Sequence, residues 1–124
     1  MYAGRVEAEF AAAHFLSDYH GKCENLHGHN YRVRLYVRGG TLDSGGMLAD
    51  FASLKQCLKA ALAPLDHTNL NDMAVFMRNP SAERLAHYIF EQVEQTLPAY
   101  NISSELLHAV EVFETPVNMA RYER

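Results

Sequence analysis

The amino-acid sequence predicts an α+β domain in which an antiparallel four-stranded sheet carries two helices on one of its faces. The first observation is length, because 124 residues suit a single domain spanning 1–124. The second is that segments with strand alternation stand at both ends of the chain, with segments of helical spacing between them. The resulting order is two strands, two helices and two strands (ββααββ), which suits helices packed on one side of a sheet.

The charge and hydropathy of the chain argue against two classes of partner. A formal net charge of −4 lacks the basic field of a nucleic-acid-binding protein, so we expect no nucleic-acid partner. No apolar stretch approaches the roughly 20 residues that cross a bilayer, and acidic Glu7 and Glu9 stand where a signal peptide would be apolar. We therefore expect a cytoplasmic protein with no membrane association, whose two cysteines are free thiols.

Two N-terminal segments have the alternation of strands. In residues 2–15, apolar Val6 and Phe10 fall on the same side as His14, and the acidic residues fall on the other. His29–Arg38 alternates more cleanly, which predicts a strand with one buried face and one polar face. The two faces are Tyr31, Val33, Leu35 and Val37, and Asn30, Arg32, Arg34, Tyr36 and Arg38.

Two helices follow these strands. Asp50 is a good N-cap for the first helix, which Pro64 ends. Asn79-Pro80-Ser81 starts the second helix, because proline suits a first helical turn, and Pro98 ends it. The apolar stripes that should face the sheet are Phe51, Leu54, Leu58, Ala61 and Leu62 in the first helix, and Leu85, Ile89 and Val93 in the second.

Alternation returns after the second helix and predicts a third strand, followed by a short edge strand at Val117–Tyr122. A four-stranded sheet of this kind has open edges, which natural proteins pair or cover. We therefore expect a homo-oligomer joined through sheet edges. The two faces of the third strand are predicted as Leu106, His108, Val110 and Val112, and Leu107, Ala109, Glu111 and Phe113.

Three histidines form a candidate metal site. His27 and His29 are two residues apart on a strand, so both imidazoles project from the same face. His14, at the end of the preceding strand, is the natural third ligand of a zinc site that keeps one position open. A bare His-x-His pair is a permissive pattern, so surface or hydrogen-bonded core histidines are the alternative.

Four further residues have chemistry that suits a site beside a metal. Cys23, which precedes His27 in the chain, would act beside a cation as a thiolate base, a nucleophile or a fourth ligand. Asp66 would orient His67 as a general acid or base. Glu114, at the end of an apolar strand face, needs a partner such as a planar ligand with two N–H donors. The alternatives are a quiet loop cysteine, ordinary loop residues and a glutamate that reaches solvent.

Five short motifs carry a family resemblance. They are Phe10-Ala11-Ala12-Ala13-His14, Cys23-x-x-x-His27-Gly28-His29, Leu65-Asp66-His67-Thr68-Asn69-Leu70-Asn71, Asn79-Pro80-Ser81-Ala82-Glu83 and Phe113-Glu114-Thr115. Together they resemble the 6-pyruvoyl-tetrahydropterin synthase and 6-carboxy-tetrahydropterin synthase family over nearly the whole chain. The resemblance implies a tunnelling fold (T-fold), in which the sheets of several subunits join into a barrel with active sites at subunit interfaces.

The resemblance also implies a zinc enzyme acting on a small-molecule pterin. The three histidines would hold Zn²⁺, which would act as a Lewis acid on the side chain of 7,8-dihydroneopterin triphosphate. Cys23 would be the base, and Asp66 and His67, donated by a neighbouring subunit, would relay protons. Glu114 would hold the pterin in a bidentate pair. The expected assembly is a homo-oligomer, either a hexamer built as a dimer of trimers or a tetramer.

The spacing of one motif bears on the branch within this family. The three-residue gap between Cys23 and His27 is that of the bacterial 6-carboxy branch, which serves 7-deazaguanine and queuosine biosynthesis. The expected products are 6-carboxy-5,6,7,8-tetrahydropterin, acetaldehyde and triphosphate, with the 6-pyruvoyl branch as an alternative.

A second pattern overlaps the first. Glu24 satisfies the Glu-x-x-His-Gly-His pattern of a folate branch, in which a glutamate replaces the cysteine and the product is 6-hydroxymethyl-dihydropterin. Glu24 as a second base would give a dual activity, whereas a solvated loop residue would match by chance. A non-catalytic zinc-binding module, with Cys23 as fourth ligand, is the alternative from another class.

Overall fold

The fold is given by a computed structural model that describes residues 1–124. The strands are β1 (Tyr2–His14), β2 (His27–Gly39), β3 (Thr68–Asn69), β4 (Leu107–Thr115) and β5 (Asn118–Glu123), and the α-helices are α1 (Phe51–Leu62) and α2 (Ala82–Thr96). Short 3₁₀ turns lie at Leu70–Asp72, Ala74–Phe76, Leu97–Tyr100 and Ser104–Leu106. The predicted α+β class with two helices is confirmed.

The strand count was predicted as four and is five, in the order β3-β1-β2-β4-β5. The additional strand is β3, which runs parallel to β1 beside Ala12 and Ala13, so the sheet is mixed and not wholly antiparallel as predicted. Two residues are too few to show alternation, so the sequence pattern could not reveal this strand. Its pairing brings the loop after α1 next to the end of β1, where His14 stands.

β1 and β2 pair antiparallel along their whole length, from Tyr2 opposite Gly39 to His14 opposite His27. β2 begins at His27 and so carries both histidines as predicted; its pairing extends two residues beyond the clean alternation that starts at His29, because β1 continues to His14. Since the register of a paired strand determines which side chains are neighbours, this ladder places the histidines together at one end of the sheet.

The core lies between the sheet and the two helices. The predicted buried face of β2 is confirmed, since its four apolar side chains are at most 1% exposed. Asp50 caps α1 as predicted. Ser81 caps α2, so Pro80 lies one residue before the cap and not in the first turn as predicted. Phe51, predicted on the buried stripe of α1, is 60% exposed, because it is the first helical residue and its ring lies over Gly4 of β1.

The predicted faces of the third strand are partly wrong. Val110 and Val112 are fully buried as predicted, but Leu107 is buried with them instead of facing away. The pairing of β4 with β2 shifts by one residue between Tyr36 and Val37, where a β-bulge interrupts the alternation. A bulge depends on the partner strand, so the pattern of one strand cannot predict it.

The other face of the sheet is charged. Arg34 donates to Glu7 at 2.8 Å, and its guanidinium lies 4.6 Å from the centre of the Phe113 ring. β5 and most of β1 form the sheet edges, so assembly through these edges stays a prediction. Neither helix combines the length and apolar character that a membrane crossing requires. Both cysteines are free thiols, as predicted.

Candidate active site

Three histidines meet at the end of the β1–β2 ladder. His14 is opposite His27, and His29 is opposite Ala12, so all three side chains project from the face that carries the helices. One ring nitrogen from each histidine lies within 4.8 Å of the others, and the ring centroids are 4.8–5.0 Å apart. The predicted metal ligands are therefore close enough for one ion to reach all three.

Two of the rings have their orientation set by backbone carbonyls. Nδ1 of His14 is 2.8 Å from the Pro80 carbonyl oxygen, and Nδ1 of His27 is 2.8 Å from that of Asn25. A carbonyl oxygen only accepts hydrogen bonds, so each Nδ1 carries the proton and donates it. The unprotonated Nε2 of both rings is thereby left for a metal, an arrangement typical of zinc-binding histidines.

His29 provides the third nitrogen, and the surroundings of this nitrogen show whether a metal ion would fit the site. Its Nε2 is buried without a hydrogen-bond partner and lies 3.6 Å from a carboxylate oxygen of Glu114. Burial lowers the pKa of His29, and the nearby Glu114 carboxylate opposes this effect. A buried nitrogen without a partner is costly, and a cation would satisfy it. The donor set therefore fits zinc, with three imidazoles and room for a further ligand.

Tyr31 follows His29 on the same face of β2, and its ring centroid is 5.3 Å from that of His29. Its hydroxyl oxygen is also buried without a hydrogen-bond partner. Burial raises the pKa of Tyr31, and so do the charges of Glu114 and Glu24. The phenol therefore stays protonated and offers a hydrogen-bond donor beside the histidines. In the sequence, Tyr31 is recognisable only as a core residue, because it alternates with the apolar residues of β2. The pattern gives no sign of the role of its hydroxyl group.

Glu114 lines a cleft of about 560 Å³ together with His29, Thr115 and Pro116. Its side chain is 30% exposed, and the titratable side chain within 4.0 Å of it is His29. Arg32 and Arg34 line the same cleft, but neither forms an ion pair with this carboxylate. Both oxygens are therefore available to a ligand that offers paired N–H donors, as the sequence predicts.

Cys23 lies in the loop between β1 and β2, exposed to solvent. Its thiol donates to the Ser17 carbonyl at 3.1 Å. The group of possible metal ligands contains the three histidines and does not include Cys23. Cys23 is thus close to His27 in the sequence, but its sulfur is not one of the clustered ligand atoms.

Glu24 is half-buried and holds the same loop closed. Its carboxylate accepts from the Leu16 N–H at 3.0 Å, and its own N–H donates to the Leu16 carbonyl at 3.0 Å. Glu24 is therefore only partly solvated, because its side chain bonds to the backbone across the loop. This contact cannot be seen in the sequence, since it joins residues whose proximity only the closed loop creates.

Asp66 and His67 form the predicted pair. One carboxylate oxygen of Asp66 accepts from the Ala11 N–H at 2.9 Å, and the other lies 3.0 Å from Nδ1 of His67. The hydrogen bond from Ala11 lowers the pKa of Asp66, and His67 lowers it further. The His67 side chain is 82% exposed, and it borders a groove of about 420 Å³ that also reaches His29. The imidazole is therefore oriented and free to meet a substrate or another subunit.

Comparison with known proteins adds a family to this geometry. Residues 4–124 match the family model described as 6-pyruvoyl tetrahydropterin synthase. The 6-carboxy-5,6,7,8-tetrahydropterin synthase of Synechocystis sp. is 39% identical over 122 residues, covering 94% of this chain and 88% of that protein. The human 6-pyruvoyl tetrahydrobiopterin synthase is 36% identical over 129 residues, covering 92% and 86%.

Solved structures agree with the sequence comparison. The structure of Caenorhabditis elegans 6-pyruvoyl tetrahydropterin synthase superimposes with a TM-score of 0.84 at 30% identity, covering 99% of this chain and 95% of that one. The expected tunnelling fold of the subunit is thereby confirmed.

Proposed function

Because this chain belongs to the 6-pyruvoyl tetrahydropterin synthase family, we propose that it is a zinc-dependent lyase of 7-deazaguanine and queuosine biosynthesis. It converts 7,8-dihydroneopterin triphosphate and one water molecule to 6-carboxy-5,6,7,8-tetrahydropterin, acetaldehyde and triphosphate. The observation that carries the proposal is the convergence of three histidine nitrogens within 4.8 Å, with the unpaired Glu114 carboxylate 3.6 Å from one of them. The Synechocystis relative and the three-residue gap between Cys23 and His27 both favour the 6-carboxy branch.

The histidines divide the work at the metal. His14 and His27 would hold zinc through Nε2, because their Nδ1 atoms donate to carbonyls, and His29 would add the nitrogen that is buried without a partner. Bound there, zinc would supply a Lewis acid that makes protons on adjacent substrate atoms easier to remove. Three protein ligands leave room for the substrate.

The remaining residues bind substrate and move protons. Glu114 accepts two N–H hydrogen bonds from the pterin and so orients it in the cleft beside His29. Cys23 accepts a proton from the substrate side chain as a thiolate, after its thiol has left the Ser17 carbonyl and released its own proton to the solvent to which it is exposed. His67, oriented by Asp66, returns protons during the rearrangement, and in an oligomer it does so across a subunit interface.

The experiment is product identification by mass spectrometry after incubation of the zinc-loaded protein with 7,8-dihydroneopterin triphosphate. The expected products are 6-carboxy-5,6,7,8-tetrahydropterin and acetaldehyde in equal amounts. Metal-stripped protein is the matched control and should give neither. Formation of 6-pyruvoyl-tetrahydropterin instead would reassign the branch, in line with the relatives of Drosophila melanogaster and Homo sapiens that bear the name 6-pyruvoyl tetrahydrobiopterin synthase.

A second activity at Glu24 is favoured by one observation. Glu24 lines the same surface cleft of about 510 Å³ as Cys23, the proposed base. As a base it would cleave the substrate side chain to give 6-hydroxymethyl-dihydropterin. Glu24→Ala and Glu24→Gln separate the two roles, because glutamine keeps an oxygen for the Leu16 N–H but is not a base. Loss of the hydroxymethyl product in both variants supports a base, and its retention in Glu24→Gln supports a purely structural bond.

A non-catalytic zinc module is the alternative from another class. It requires Cys23 as a fourth ligand that closes the site. The hydrogen bond of the Cys23 thiol to Ser17 supports an open site instead. The absorption spectrum of the cobalt-substituted protein distinguishes them, since a thiolate ligand adds an intense sulfur-to-cobalt band that three imidazoles do not.

A further inference from the structure

A short segment joins the metal site to the loop that carries Cys23. Residues 15–17, which we call the strap, follow His14 directly and lie outside the sheet. Asn71 accepts from the Phe15 N–H at 2.8 Å and donates to the Phe15 carbonyl at 2.9 Å. In a strand, the N–H and carbonyl of Phe15 would bond to the backbone of a neighbouring strand. Here the side chain of Asn71 makes both hydrogen bonds instead.

Ser17 is the point where the strap meets Cys23. Its N–H donates to the side-chain oxygen of Asn79 at 2.8 Å, and its hydroxyl donates to the Arg78 carbonyl at 2.9 Å. Its own carbonyl accepts from the Cys23 thiol at 3.1 Å. Movement of Ser17 would therefore move the acceptor on which the thiol rests.

The turn that carries Asn79 has a strained backbone. Met77 and Arg78 both adopt the left-handed conformation, with φ of 50° and 66°. The same turn places the Pro80 carbonyl 2.8 Å from Nδ1 of His14. One rigid turn therefore supports a metal ligand through Pro80 and the strap through Asn79.

The side chain of Asn79 does not cap α2, although it stands just before that helix. The N-cap of α2 is Ser81, whose side chain accepts from the Arg84 N–H. Replacement of Asn79 therefore leaves the helix cap in place. It removes the one side-chain acceptor that holds the Ser17 N–H.

We propose that Asn79 is a positioning residue for Cys23. It holds Ser17 so that the carbonyl of Ser17 keeps the thiol at a defined place in the loop that joins His14 to His27, and it takes no part in holding the metal. This role rests on the proposed function, in which Cys23 accepts the substrate proton. Since the contact is made by an oxygen acceptor, aspartate can replace asparagine and alanine cannot.

The test compares Asn79→Ala with Asn79→Asp in the zinc-loaded protein. Three quantities are measured: zinc content, the rate at which iodoacetamide alkylates Cys23, and kcat and KM. Cys57 is fully buried and does not compete, and peptide mass mapping separates the two thiols. In Asn79→Ala we expect full zinc content, Cys23 alkylation faster by roughly 2- to 10-fold, the equivalent of one hydrogen bond, and a fall in kcat with little change in KM. Asn79→Asp should resemble the parent.

Several outcomes would overturn the proposal. An unchanged alkylation rate in Asn79→Ala would show that Ser17 stays in place without the side chain, and zinc loss would show a role at the metal. Failure of Asn79→Asp to restore the parent rate would exclude the acceptor role. Should Asn79→Ala not fold, Ser17→Ala removes only the hydroxyl bond to Arg78 and should give a smaller increase in alkylation; no increase would contradict the proposal. Alkylation needs no turnover, so a protein that forms no 6-carboxy product can refute the proposed function while the positioning role is still measured.

Discussion

The histidine cluster and the Cys23 loop occupy the same end of the sheet, but they are built differently. The histidines stand on two strands that are paired along their full length. Two of the rings are each oriented by a backbone carbonyl of their own. The thiol of Cys23 rests on one carbonyl, in a loop closed by side-chain bonds to backbone. The groups that would hold a metal are thus fixed by many cooperative contacts, and the group that would move a proton is fixed by few.

This difference has an energetic consequence. A single hydrogen bond of the loop contributes about 0.5–1.5 kcal/mol net, so one substitution can release it. Displacing a histidine would require the β1–β2 ladder to separate at its end. We therefore expect changes in the loop to alter turnover and changes on the strands to alter metal content.

The largest effect is expected from removal of a strand histidine. His27→Ala and His29→Ala should each lose bound zinc and activity together. The fall in zinc affinity should exceed the roughly 10- to 100-fold loss that follows removal of a residue that only hydrogen-bonds to a metal ligand. Metal content after dialysis against a chelator measures this. His87→Ala is the control, because His87 bonds only to Glu91 on α2. Stoichiometric zinc in both variants would show that His27 and His29 are not required as zinc ligands.

The next effect tests the loop side of the comparison. Cys23→Ala should keep zinc and lose turnover by roughly 10²- to 10⁴-fold, the contribution of one general base. Cys57→Ala is the matched control, since burial raises the pKa of Cys57 to about 11 and keeps that thiol protonated. Loss of zinc from Cys23→Ala would point to a closed structural site.

Glu114→Gln should have an intermediate effect that is confined to the ligand. The amide offers one acceptor where the pterin needs two, and a hydrogen bond to a charged group is worth about 1.5–3 kcal/mol. Calorimetric titration with the pterin product should show affinity weaker by roughly 10- to 100-fold, with zinc unchanged. Glu83→Gln, at an exposed position of α2, is the control. Equal affinity in Glu114→Gln and the parent would mean that Glu114 only faces solvent.

The smallest effect concerns the stability of the Asp66 contact. Its pKa is lowered in the folded chain, so the charged form stabilises the fold above the unfolded pKa of about 4, and this contribution is lost as the pH falls through the folded pKa. Asp66→Asn should lower the Tm of the metal-free protein slightly at pH 7, and the difference should shrink as the pH falls below about 4. A difference that stays constant below about pH 4 would show that charge is not its cause.

The local elements of this protein were determined by its sequence. Alternation in β2 follows from one face being buried, and α1 and α2 begin directly after Asp50 and Ser81, whose side chains cap their first turns. The two-residue spacing of His27 and His29 put both imidazoles on one face before any fold was known. These features depend on neighbours in the chain, which is why they could be predicted.

Tertiary structure decided the features that depend on a distant partner. The bulge in β4 exists because β2 lies beside it, and β3 exists because a loop reaches β1. Glu24 and Asn79 were assigned from the sequence to chemistry and to a helix start, yet both bind the backbone of the strap. Their acceptor oxygens meet N–H groups that are free only because the strap leaves the sheet, and a free backbone donor is a property of the folded chain rather than of the sequence.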